Sequence, residues 1–109
     1  MNPGPSGDGL FQHLGSTAPH PWNAGPIPYQ ALVAADPVSQ GYRYHRHAIA
    51  RVPWLYHPER RIWISYDDID SLRDKAAFVR LRGLGGVMIW ELTGDNGDLI
   101  EAVRGSLID

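Results

Sequence analysis

At 109 residues, 43% hydrophobic and 20% charged, this chain has enough material for one modest core, either one small domain or a part of a larger one. Ten basic against twelve acidic side chains give a formal charge of −2, so there is no basic field to hold nucleic acid or an anionic membrane. Cysteine is absent, which excludes disulfides and thiolate metal sites, and no apolar run approaches the roughly 18 residues of a membrane span.

Residues 1–28 carry six of the nine prolines and many glycines, and Met1–Gly9 lacks the ordered basic and apolar regions of a signal peptide. Proline fixes φ and removes a donor, so this stretch reads as irregular loop with one short strand near Leu10–Gln12. A helical turn is predicted from Tyr29 to Ala35, opened by Pro28 and closed by Asp36-Pro37. Three aromatic and β-branched runs follow at Tyr42–His47, Val52–His57 and Arg61–Tyr66. His57-Pro58-Glu59-Arg60 has proline at the second turn position, and the three runs predict an antiparallel meander. Ile62, Ile64 and Tyr66 then share one face of the last strand, and Trp63 and Ser65 the other.

The final third changes period. Asp67-Asp68 supplies an N-cap, and Ile69, Leu72, Ala76 and Val79 recur at helical spacing. Gly83 suits the left-handed position that ends the helix, with Leu84 folding back after it. Gly86–Leu92 is almost continuously apolar and reads as a parallel strand buried on both faces. A loop at Thr93–Asn96 precedes a last helix from about Gly97 to Arg104, with Leu99, Ile100 and Val103 facing inward.

A doubly buried strand needs a hydrogen-bonded neighbour on each side. The chain offers one candidate at most, Arg61–Tyr66 through a right-handed crossover, and nothing for the other edge. Either the chain associates with something, itself or a partner, or its strand belongs to a bigger sheet.

Three motifs resolve this by resemblance. Tyr66-Asp67-Asp68, Gly85-Gly86-Val87-Met88-Ile89-Trp90-Glu91 and Asp95-Asn96-Gly97 occur in the order and spacing of the closing segment of family-18 glycoside hydrolases, the chitinase type. Gly9–Gln12, Trp22–Tyr29 and Val52–Tyr56 resemble the insertion between the seventh strand and seventh helix of that family. The resemblance implies an α/β fold, part of a TIM (β/α)8 barrel whose active site lies at the C-terminal strand ends, with a small antiparallel α+β insertion subdomain. Residues 1–66 would be that insertion and 67–109 the last helix–strand–helix, and Arg61–Tyr66 becomes the last insertion strand.

The family hydrolyses chitin, a β-1,4-linked N-acetylglucosamine polymer, by a retaining reaction that the substrate's acetamido group assists. Its acid ends an Asp-x-x-Asp-x-Asp-x-Glu motif on the fourth barrel strand. Here Asp67 and Asp70 match the first two positions, but Leu72 and Asp74 stand at the third and fourth. The resemblance therefore implies no catalytic residue in this chain, no cofactor, and no hydrolysis by the chain alone. Family members are usually secreted.

For Trp90, the resemblance implies a flat platform under the sugar ring, against the alternative of a core indole. Trp22 matches a tryptophan beside the cleft. Asn23 stands where the family often has an acid, and its amide can still bind a sugar hydroxyl. Glu91, on the opposite side of the strand, reads as an anchor. His45-x-His47 has a spacing that zinc sites use but no evident third ligand, and Tyr42, Tyr44 and Arg46 suggest a solvated strand. Asp67, Asp68 and Asp70 read as helix capping rather than a cation cluster. The expected partners are chitin or N-acetylglucosamine oligosaccharides and the missing N-terminal barrel segment or a second copy; nucleic acid and membrane are not among them. The competing functions are a non-catalytic oligosaccharide-binding module and the C-terminal half of a split barrel.

Overall fold

The computed structural model describes residues 8–10 and 26–108. Helix α1 (Tyr29–Ala34) leads through a 3-10 turn (Pro37–Gln40) into a three-stranded antiparallel sheet, β1 (Arg43–Arg46), β2 (Pro53–His57) and β3 (Ile62–Ser65), in that order across the sheet. Helix α2 (Ile69–Arg82), a second 3-10 turn (Leu92–Gly94) and helix α3 (Asp98–Leu107) complete the chain. No helix among the described residues is long and apolar enough to cross a membrane.

The expected antiparallel meander forms, with Tyr44 opposite Leu55 and Leu55 opposite Ile64. Burial alternates along β3, with Ile62 and Ile64 inward and Trp63 and Ser65 outward. Central β2 is buried on both faces. One face takes α1, whose Leu32 packs with Tyr42 and Leu55 against Ile27, Ile62, Ile64 and Tyr66. Burying Leu32 or Leu55 contributes about 1.5–3 kcal/mol each. The other face carries Trp54, whose indole N–H donates to the Asp8 carbonyl at 2.8 Å.

The hairpin between β2 and β3 closes on His57. Its Nδ1 accepts from the Arg60 amide and its Nε2 lies 3.1 Å from the Gln40 carbonyl, which fixes Nε2 as the protonated nitrogen. Gly41 approaches that ring so closely that a Cβ would stand 2.9 Å from Nε2, and its φ of +97° suits glycine.

At the start of α2, Asp68 and Ser71 exchange bonds: the Ser71 amide donates to Asp68 Oδ1 at 2.8 Å, and the Asp68 amide to Ser71 Oγ at 2.9 Å. Asp67 accepts from Ser71 Oγ and Lys75, and Asp70 lies 3.7 Å from Arg73, so the three acids serve the helix start as expected. Gly83, at φ +63°, ends the helix, and the Leu84 amide bonds to the Val79 carbonyl at 3.0 Å. The Leu84 side chain stays half exposed rather than folding back.

Helices α2 and α3 pack together. Ile69 and Arg73 line one depression with Asp98, Glu101 and Ala102, while Arg80 near the other end of α2 reaches the Ser106 carbonyl. The two helices therefore run parallel, joined in sequence by residues 83–97. Val103 and Ala102 are buried, whereas Ile100, expected inward, is turned toward solvent.

The expected strand at Gly86–Leu92 does not form. Residues 84–89 have no ladder bonds, and Leu92 enters a 3-10 turn instead. The physical reason is the missing neighbour: Arg61–Tyr66 is committed to β2, and nothing else among the described residues pairs with this run. Val87, Met88, Ile89 and Leu92 consequently stand exposed.

Candidate functional site

Trp90 ends the bare run with 89% of its surface exposed. It is not a core indole in this chain. The peptide after it, Trp90–Glu91, is cis. Glu91 contributes its carbonyl to the Gly94 amide at 3.3 Å, which opens the 3-10 turn. Trp22 and Asn23 lie outside the described residues.

The turn after Trp90 is held on two sides. Toward α3, the Asp95 carboxylate accepts from the Leu99 and Ile100 amides at 3.1 and 3.0 Å. Desolvation pushes the Asp95 carboxyl up, but the amides of Ile100, Leu99, Asn96 and Gly97 outweigh it and hold it below the usual carboxylate range. Toward α1, Gln30 Nε2 donates to the Thr93 carbonyl at 2.8 Å. Gly94 packs against Pro28, close enough that a Cβ would lie 3.8 Å from the proline Cα.

The starts of α1, α2 and α3 gather polar side chains at this same end. Burial, then the charges of Asp98, Asp68 and Asp95, raises the Tyr29 phenol. Burial, then Asp68, Tyr44 and Tyr29, raises the Tyr66 phenol far above its usual range. Tyr44 donates to Asp68 Oδ2 at 2.9 Å. Sequence reading missed this phenol–carboxylate group, because its members come from four separate segments.

The reading of β1 as a solvated strand holds for its first half, where Arg43 and Tyr44 are exposed, and fails around it. Tyr42 is buried, and Arg46 Nη2 meets Asp74 Oδ2 at 2.5 Å. Arg51, held at φ +57° in the β1–β2 loop, adds Nε and Nη2 contacts to Asp74 at 2.8 and 3.1 Å. Hydrogen bonding from Arg51 lowers the Asp74 carboxyl and outweighs desolvation, with the charges of Arg51 and Arg46 adding to it. His45 and His47 are engaged structurally. The His45 ring stacks on Trp54 at 5.1 Å, and His47 Nδ1 accepts from the Ile49 and Ala50 amides.

Two surface depressions lie elsewhere. One, of about 370 Å³, sits between α2 and α3; the other, of about 360 Å³, lies under the β1–β2 loop along Ser71, Asp74 and Phe78. Neither is lined by Trp90.

Comparison with known proteins decides the family. The model for glycosyl hydrolases family 18 matches residues 5–95. The chain belongs to glycoside hydrolase family 18. Chitinase A1 of Niallia circulans is 35% identical over 97 residues, which cover 88% of this chain and 14% of that protein. The cell-surface chitinase ChiW of Paenibacillus sp. str. FPU-7 superposes with a TM-score of 0.71 at 34% identity, over 83% of this chain and 11% of that one. YKL-39, solved in the presence of chitooligosaccharides, gives a TM-score of 0.71 at 25% identity, over 87% of this chain and 28% of that one. The chain thus spans well under a third of these relatives. Its fold is that of a piece of a family-18 barrel, a small α+β unit with a three-stranded antiparallel sheet.

Proposed function

We propose that this chain supplies the insertion subdomain, residues 1–66, and the closing helix–strand–helix, residues 67–109, of a chitin-acting family-18 hydrolase. Trp90 stacks on the apolar face of an N-acetylglucosamine ring, with Trp22 and Asn23 as further contacts. The catalytic acid comes from a segment that residues 1–109 do not contain, because the Asp-x-x-Asp-x-Asp-x-Glu pattern is broken at Leu72 and Asp74. The observation that carries the reading is the exposed indole of Trp90 at the end of an apolar run without strand neighbours. An apolar run with open backbone groups on both edges fits between two barrel strands, and a ligand-facing aromatic belongs at its C-terminal end.

The test joins residues 1–109 behind the N-terminal barrel of a related chitinase and compares Trp90 with Trp90→Ala. Loss of a stacking surface costs on the order of 1 kcal/mol of oligosaccharide binding, about fivefold, while the urea midpoint stays close to the parent. A packed core tryptophan would instead cost about 3–5 kcal/mol of stability on truncation. A collapsed midpoint with unchanged affinity of the folded fraction would overturn the platform. The 109-residue chain alone should not hydrolyse chitin oligomers, since positioned acid–base groups supply roughly 10²–10⁴-fold of the rate; turnover by the pure chain would overturn that part.

A further inference from the structure

We propose that Gln30 is a positioning residue for Trp90, a tether that carries the placement of the insertion sheet to the sugar platform. The proposal rests on the platform reading of Trp90 and adds the device that aims it.

The run that bears Trp90 has no ladder of its own, so its course depends on its two ends. Upstream it is fixed by the end of α2, through Gly83 and the Leu84 amide bond to Val79. Downstream it is fixed by the 3-10 turn, where the Gly94 and Asp95 amides bond to Glu91 and Leu92. The Asp95 carboxylate ties that turn to the first turn of α3. All of these bonds are local to the closing unit. The Gln30 bond to the Thr93 carbonyl spans 63 residues and comes from α1.

Helix α1 is a firm base for such a tether. Leu32 is buried in the core that α1 shares with Tyr42 on the edge of β1 and Leu55 of β2. Gly94 packs against Pro28 and Tyr29 at the mouth of the same helix, which brings the two backbones side by side. Thr93 is three residues beyond Trp90, within the turn that sets where the indole leaves the run. A shift of α1 against the closing unit is therefore transmitted to Trp90 through the Gln30 amide, the hydrogen bond beside that packing contact.

Amide exchange and indole resonances of the 109-residue chain test this, with the Trp90 indole N–H assigned by its loss in Trp90→Phe. Gln30→Ala should speed exchange at Gly94 and Asp95 about fivefold, the factor equivalent to one net hydrogen bond, and shift the Trp90 indole signal. The Leu84 amide, at the other anchor, and the Trp54 indole should not change. Gln30→Glu keeps the side-chain length without the donor and should behave as Gln30→Ala does. Gln30→Lys restores a donor and should recover the slow exchange. A merely structural loss would move Leu84 as much as Gly94 and would not be rescued by lysine. Equal exchange in parent and Gln30→Ala, or equal acceleration at Leu84, overturns the proposal. Trp90→Ala leaves the Gln30–Thr93 bond in place, so slow exchange persists there. Failure of sugar contact at Trp90 is thus read separately from failure of the tether.

Discussion

Asp68→Ala removes three interactions at the junction of the sheet and α2. Its Oδ1 caps the helix by accepting from the Ser71 amide at 2.8 Å, a contribution of about 1 kcal/mol. Its Oδ2 accepts from the Tyr44 hydroxyl at 2.9 Å, a charge-assisted bond at a partly solvated site, worth about 1 kcal/mol. Arg46 Nη1 stands 3.6 Å from Oδ1, long for an ion pair, and adds well under 1 kcal/mol. The sum is about 2 kcal/mol, or roughly 10 °C in Tm for a chain of this size. Asp68→Asn keeps the capping oxygen but puts an amide NH2, a donor, where Oδ2 accepted from Tyr44, so it should cost about 1 kcal/mol, less than Asp68→Ala. Urea unfolding followed by tryptophan fluorescence measures both. Tyr44→Phe should cost about 1 kcal/mol in the parent and almost nothing in Asp68→Ala, because the shared bond is already gone. The reasoning fails if Asp68→Ala lies within about 0.5 kcal/mol of the parent, or if Tyr44→Phe costs the same in both backgrounds.

Asp74 has its carboxyl pKa lowered in the fold, so the stability it contributes is present above the ordinary carboxylate range, about pH 4, and is lost as pH falls through the lowered value. Asp74→Asn should therefore lower Tm at pH 7, with the difference shrinking progressively below pH 4; a constant difference down to pH 2 would exclude the linkage. Tyr66 has its phenol pKa raised, so the unfolded chain ionises first and stability falls as pH rises above about 10. Tyr66→Phe should remove part of that alkaline loss in thermal melts between pH 8 and 11, and an unchanged slope would count against it. Met88, exposed on the bare run, should promote self-association, so Met88→Lys should shift sedimentation toward monomer; a parent that is monomeric at high concentration would refute this.

The elements legible in the sequence are those set by near neighbours along the chain. The β3 alternation, the turn after His57, the Asp68 cap and the Gly83 stop each depend on residues within about five positions of one another. The run at Gly86–Leu92 carried the right information and the wrong conclusion. Its apolar pattern reports the surroundings the run is suited to, whereas a strand requires partners that these residues do not supply. The partners of Tyr44 and Arg46 were not legible because Asp68 and Asp74 lie 24 and 28 residues onward. The Gln30–Thr93 bond leaves no periodic or local trace at all. The exposure of Trp90 is not legible either, because an exposed indole in an otherwise apolar run is not encoded by period.

Parallel alignment of α2 and α3 has an electrostatic consequence. Each helix carries roughly half a positive charge at its N-terminal end, and side-by-side parallel dipoles add there instead of cancelling. The acids crowd the same end, with Asp67, Asp68 and Asp70 on α2 and Asp95, Asp98 and Glu101 on α3, while Arg80, Arg82 and Arg104 occupy the last turns. Each helix start is thus screened partly by carboxylates that belong to the other. Asp98→Asn should therefore loosen the first turn of α2 as well as its own.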